Sequence, residues 1–96
     1  MRIRGFLHKG LKRLYDDDNP KGLSPEAAEK IRKMLAFLQD MESADELRTI
    51  PVWKAHQTRR GRKVAWSLHV TRNWRLTFVV DLAESEILEV NYEDYH

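Results

Sequence analysis

In the first half of the chain the apolar residues recur at three- and four-residue intervals. From Val64 onward they recur at every second residue. That change of period predicts helices followed by strands. Residues 2–7 read as a short opening strand. KGLKRLYDDD (9–18) reads as a short helix with Leu11, Leu14 and Tyr15 on one face. Residues 16–22 then form a polar break with Pro20 and Gly22. A second helix begins at Pro25. Ser24 is a good N-cap, proline suits the first helical position, and Glu26 favours the positive end of the helix dipole. Its apolar stripe is Ala28, Ile31, Leu35 and Leu38, and it ends near Met41. Residues 43–47 add one more turn before Pro51.

The rest of the pattern is that of a meander. VWKAH (52–56) reads as a short strand and QTRRGRK (57–63) as a basic loop with Gly61 at its tip. In VAWSLHV (64–70), Val64, Trp66, Leu68 and Val70 share one face, and Ala65, Ser67 and His69 the other. TRN (71–73) is a tight turn. In WRLTFVVD (74–81), Trp74, Leu76, Phe78 and Val80 oppose Arg75, Thr77 and Val79. After a turn at LAES, EILEVNY (86–92) carries Leu88, Val90 and Tyr92 on its apolar face. Strands joined by short turns pair antiparallel. Helices gathered ahead of such a meander predict an α+β fold. Residues 1–96 are expected to be one domain, since a typical domain needs roughly 100 residues. The last strand is expected to anchor Asp94, Tyr95 and His96, so that they do not fray.

Composition fits a folded, soluble chain, with 42% hydrophobic and 33% charged residues. The chain has no cysteine, which excludes disulfides, thiolate metal sites and a thiol nucleophile. No apolar run approaches the roughly 20 residues of a membrane span. MRIRGFLHKG lacks the apolar core of a secretory signal. The expectation is a cytoplasmic protein with no membrane partner. Net charge is only +2, but its distribution is uneven. Residues 1–14 hold five Lys/Arg and no acid, residues 54–75 hold seven and no acid, and residues 81–96 hold six acids and no Lys/Arg. Such segregation suits a basic face that meets a polyanion. It equally suits opposite charges pairing across neighbouring strands, and charge alone does not choose.

No phosphate-cradling GxxxxGK[ST] loop, GxGxxG turn, HExxH pair or serine-hydrolase signature is present, so neither cofactor nor metal is expected. What remains suits metal-free RNA cleavage. RNA carries its own nucleophile, the 2′-hydroxyl beside each phosphate. A catalyst has to remove that proton, protonate the leaving 5′-oxygen and stabilise the charged phosphorane. Histidine suits the first two tasks, and arginine or lysine the third. The candidates are His56, His96, Asp94, and arginines 59, 60, 62, 72 and 75, with Tyr95 to stack on a base. Each has a plainer reading. His56 is an ordinary strand-end residue, RRGRK a solvated hairpin loop, and Arg75 an ion-pair partner of Glu89 or Glu93. His69 reads as structural or surface-facing. Trp53, Trp66 and Trp74 read as core or sheet cover.

Four stretches taken together resemble a known family: GFLHKGLKRLY, WKAH, WSLHV followed by NWRLTF, and the closing VNYEDYH. They resemble the HigB toxins, the plasmid maintenance system killer proteins of the RelE/ParE superfamily, over nearly the whole chain. The resemblance implies a compact RelE-like fold, an antiparallel sheet with N-terminal helices packed on one side. It implies an endonuclease that cuts mRNA at the ribosome. It also implies a cognate HigA-like antitoxin with a helix-turn-helix domain, and operator DNA contacted only through that complex. Motif by motif, the family's strand-end histidine falls on His56 and its terminal Asp-Tyr-His on Asp94, Tyr95 and His96. The arginine of its NWR motif falls on Arg75, with Asn73 beside it. His96 or Asp94 is then base or acid, and His56 supports the phosphate or supplies the complementary proton. Arg75 stabilises the phosphorane and Tyr95 orients the nucleotide. Arg59, Arg60, Arg62, Lys63, Arg72 and Asn73 are expected to hold RNA or the ribosome. One departure stands out: where the family reads HPLKG, this chain reads HQTRRG, and Gln57 does not fix the backbone as proline would. The rivals are a ParE-like gyrase inhibitor, which has no need of His56 or the terminal DYH, and a non-catalytic corepressor acting with its antitoxin.

Overall fold

A computed structural model describes residues 1–61 and 63–95, so Arg62 and His96 lie outside it. The described residues form β1 (Arg2–Ile3), α1 (Lys9–Asp17), α2 (Pro25–Asp40), β2 (His56–Arg60), β3 (Lys63–His69), β4 (Trp74–Asp81) and β5 (Glu86–Asp94). Short 3-10 turns occupy Ala44–Thr49 and Pro51–Trp53. The sheet order is β1-β5-β4-β3-β2. The last four strands are the expected antiparallel meander. β1 joins the edge parallel to β5, which makes the sheet mixed. Two helices separate β1 from β2, so no hairpin constrains its direction. Its expected span, residues 2–7, is reduced to Arg2–Ile3 and an isolated bridge from Phe6 to Val90.

Both helices begin where their sequences direct. Ser24 Oγ accepts from the Ala27 amide at 3.2 Å, with Pro25 in the first turn. α1 uses a less common cap: His8 Nδ1 accepts from the Leu11 amide at 3.2 Å. That cap explains the glycine two residues on, because a Cβ at Gly10 would lie 2.8 Å from His8 Cε1. His-Lys-Gly is therefore a helix start, and His8 is occupied structurally. Burial and the Arg13 charge both lower the His8 pKa, as an acceptor nitrogen requires.

The apolar stripe of α2 and the apolar face of the sheet make one core. Ile31, Met34 and Leu38 share it with Trp66, Leu68, Leu76, Phe78 and Val90. Each such side chain contributes roughly 1.5–3 kcal/mol on burial. Among the described residues no helix is long and apolar enough to cross a membrane.

Two further expectations are corrected. The first is the strand at 52–56. Pro51–Trp53 is a 3-10 turn, Lys54 takes φ +46, and β2 begins only at His56. It then runs through the residues read as a loop, pairing Arg60 with Lys63, and Gly61 at φ +63 makes the turn. An edge strand exposed on both sides needs no apolar alternation, and residues 56–59 are all exposed. The second correction lies in β5. Its register against β4 shifts by one residue between Thr77 and Val79, and Glu89 takes φ +54. This β-bulge turns Ile87, Val90 and Tyr92 to the core and moves Leu88 to the other side.

Candidate functional site

Strand alternation puts the chemistry on the sheet face turned away from the helices. The register sets His56, Ser67, Thr77 and Asn91 in one row across β2, β3, β4 and β5. The next row is His69, Arg75 and Glu93. Tyr95 follows Glu93 at alternate spacing and stands on the same side. Its amide donates to the Asn73 carbonyl at 2.6 Å, which pins the end of the described chain to the β3–β4 turn.

Arg75 is the most constrained side chain of this face. Its Nη1 donates to the carbonyls of Thr71 at 3.0 Å, Arg72 at 3.1 Å and Trp74 at 3.1 Å. Its Cζ lies 5.5 Å from the centre of the Tyr95 ring. The guanidinium is thus held by one nitrogen, while Nε and Nη2 make no hydrogen bond among the described residues. A fork fixed this way suits planar recognition of a phosphate. No ion pair joins Arg75 to Glu89 or Glu93 among the described residues. Glu89 instead faces Lys63 at 3.8 Å.

His56 opens β2, exposed, with no side-chain hydrogen bond among the described residues. With strands spaced about 4.8 Å apart, two steps separate β2 from β4, which carries Arg75, by roughly 10 Å, and a third step reaches β5. His56 therefore stands across a gap from Arg75 and Tyr95. The polar floor of Ser67 and Thr77 lies between His56 and Arg75, with Asn91 beyond it on β5.

Not every candidate joins this group. Asp94 pairs with Trp74 in register, so it lies on the helix side, next to Tyr92. There the Tyr92 phenol is raised by burial, then by the charges of Asp94 and Glu26. Arg59 pairs with Val64, whose side chain packs on the core, so Arg59 too belongs to the helix side of β2. Lys63 is exposed at the β2–β3 hairpin, and Arg72 and Asn73 are exposed in the β3–β4 turn. Asn73 acts here through its carbonyl. Arg60 pairs with Lys63 in register, and the expectations for its side chain, for Arg62 and for His96 lie outside what is described.

Two groups on this face were not read as site residues from sequence, where His69 reads as structural or surface-facing and Glu93 as an ion-pair partner of Arg75. His69 is the register partner of Arg75, half-buried, with its pKa lowered by burial, then by Arg75 and Lys54. Glu93 accepts a short hydrogen bond from the Thr77 hydroxyl. Both share the alternation parity of Arg75, and that signal was available in the strand pattern. Among the described residues no cluster of three or more His, Cys, Asp or Glu side chains forms a metal site.

Known proteins resemble this chain over almost all of its length. Residues 4–96 match the HigB-like toxin family, described as the RelE-like toxin of the type II toxin-antitoxin system HigB. The endoribonuclease HigB of Proteus vulgaris is 34% identical over 94 residues, covering 98% of this chain and 99% of that protein. Sheet, helices and sequence agree, and the chain belongs to the HigB family of RelE-like toxins of type II toxin-antitoxin systems.

Proposed function

We propose that the protein is an endoribonuclease that cuts mRNA in the decoding site of the ribosome and so arrests translation, without a metal ion. The observation that carries this reading is the Arg75 guanidinium, fixed on the turn carbonyls beside the exposed Tyr95 ring and across a polar floor from His56. In the reaction the 2′-oxygen bonds to phosphorus as a base takes its proton. The bond from phosphorus to O5′ breaks, and an acid delivers a proton to O5′. The products are a 2′,3′-cyclic phosphate and a 5′-hydroxyl. Arg75 neutralises the phosphorane oxygens, and Tyr95 stacks on a base to orient the nucleotide. His56 serves one proton transfer and His96 the other. Asp94, registered on the helix side at the end of β5, is the alternative to His96 for that second transfer. Arg59, Arg60, Arg62, Lys63, Arg72 and Asn73 draw in the polyanion. The wide spacing of His56 from Arg75 fits dependence on the ribosome, because RNA held there in a fixed geometry completes the site.

A type II toxin is partnered by an antitoxin. The partner is read as a HigA-like helix-turn-helix protein, with operator DNA reached through the complex and the toxin acting in the cytoplasm. The test is cleavage of a defined mRNA on programmed ribosomes, mapped by primer extension, with wild type and His56→Ala. Cuts within the decoding site that weaken by about 10²–10⁴ in the variant are expected. Growth arrest in cells without such cuts would overturn the reading and point to another target, such as gyrase.

A further inference from the structure

β2 covers β3 only as far as Ser67, so the edge of β3 beyond it is open. A groove of about 680 Å³ runs along that edge, between α2, the 3-10 turn at Pro51–Trp53 and the β3–β4 turn. Its volume lies within the roughly 300–1,000 Å³ typical of ligand sites. Among the described residues four cations line it, Lys30, Lys33, Lys54 and Arg72, and no carboxylate does. Lys30 is paired with Glu26 at 3.2 Å, whereas Lys33, Lys54 and Arg72 make no ion pair among the described residues. Trp53 forms part of the wall, half-buried and held perpendicular to Phe37 at 5.3 Å between ring centres.

Two further observations tie this groove to the site already described. The β3–β4 turn forms one wall, and Arg75 donates to its Thr71 and Arg72 carbonyls. His69 lines the groove and is the register partner of Arg75. The groove thus adjoins the turn that holds Arg75. Lys54, moreover, occupies the left-handed region at φ +46, which a non-glycine residue seldom adopts. The fold holds a long cation at a position where backbone geometry alone favours glycine.

We propose that this groove holds the RNA message where it leaves the cleavage site, its phosphates on Lys33, Lys54 and Arg72 and a base against Trp53. The inference rests on the RNA-cleavage reading and adds to it a second contact segment on the strand. Cations around an aromatic ring are the usual equipment of single-strand channels. An acidic antitoxin segment would satisfy the charges too, but continuity with the Arg75 turn favours the strand that reaches Arg75.

The test uses the full chain and a fluorescent 2′-O-methyl oligoribonucleotide, which lacks the nucleophile and cannot be cut. Lys33→Glu combined with Lys54→Glu is expected to weaken binding at least tenfold and to reduce the salt slope by roughly 1.4, or 0.7 per lost phosphate contact. Lys33→Arg with Lys54→Arg should keep both, and the melting temperature and antitoxin binding of both variants should match wild type. Unchanged RNA affinity and slope in the reversal variant would overturn the proposal. So would loss of antitoxin binding with RNA binding intact, which assigns the groove to the antitoxin. If the reversal variant does not fold, the wild type decides. A 4-thiouridine probe should crosslink to the peptide holding Trp53 and Lys54, and crosslinks confined to β4 and β5 would sink the idea. Cleavage by wild type on programmed ribosomes is scored separately. A protein that grips the probe through the groove yet never cuts loses the nuclease reading while keeping the binding site.

Discussion

On the helix side of the sheet, Leu68, Leu76, Phe78 and Val90 are each 1% exposed or less. On the other side of the same strands stand Ser67, Arg75, Thr77, Asn91 and Glu93. The two sides are one residue apart in sequence and differ in the forces that hold them. The helix side is held by apolar burial, which has no preferred direction and tolerates exchange of shape at fixed volume. The opposite side is held by directed contacts, above all the bonds from Arg75 to the turn carbonyls. Alternation thus lets a small chain assign stability to one side and chemistry to the other. A mutation should affect one property much more than the other, according to its parity.

Phe78→Ala is the strongest test of the helix side. Removing a ring that is 1% exposed should cost about 3–5 kcal/mol, a large part of the roughly 5–15 kcal/mol that holds a domain together. Urea denaturation should show the loss, while mRNA cleavage per folded molecule stays at the wild-type level. A fall in that specific activity would mean the core also shapes the site. Arg75→Ala should behave in the opposite way. Cleavage should drop by about 10²–10³, as for loss of one preorganised charge donor. Stability should fall by only about 1 kcal/mol, because water can reach the released turn carbonyls. Arg75→Lys should restore little, since an ammonium cannot bond the turn and face a phosphate together. Full recovery with lysine would show that charge suffices and that the fixed fork is irrelevant.

The same contrast explains what could be read from sequence. The helix side was legible because burial writes itself as periodicity. The α2 stripe, the faces of β3 and β4 and the Ser24 cap were all found where their spacing pointed. β2 was missed because HQTRR lies on an exposed edge, where neither side imposes a pattern. Leu88 was set on the wrong side because the bulge at Glu89 inserts one residue, and nothing in EILEV distinguishes a bulge from a regular strand. For the site, alternation grouped Arg75 with Thr77, the needs of RNA cleavage pointed to His56 and Tyr95, and the motif resemblance falls on the same two residues. The facing of Asp94 depends on strand register, which the motif does not encode. The bonds of Arg75 to its own turn depend on how residues 71–74 curl. His8 shows the converse case: a residue inside the resembling HKGLK stretch whose use is to cap a helix.

The smallest expected effect separates the two sides by pH. His8 on the helix side and His69 on the opposite side both have pKa values lowered from 6.5, chiefly by burial. In each case the folded protein favours the neutral imidazole, so the unfolded chain takes up the proton first as pH falls. Stability is then complete above about pH 6.5, declines as pH drops through the unfolded value toward the lower folded one, and levels off beneath it. For His8 protonation also has a structural consequence: protonated Nδ1 cannot accept from the Leu11 amide. His8→Asn keeps a good N-cap without the titration. Its melting temperature should therefore fall less than wild type between pH 7.5 and 5.5. Cleavage at neutral pH should be unchanged, because the residue lies on the structural side. An undiminished acid slope in His8→Asn would clear the cap of any role and leave the pH response to the side that carries Arg75.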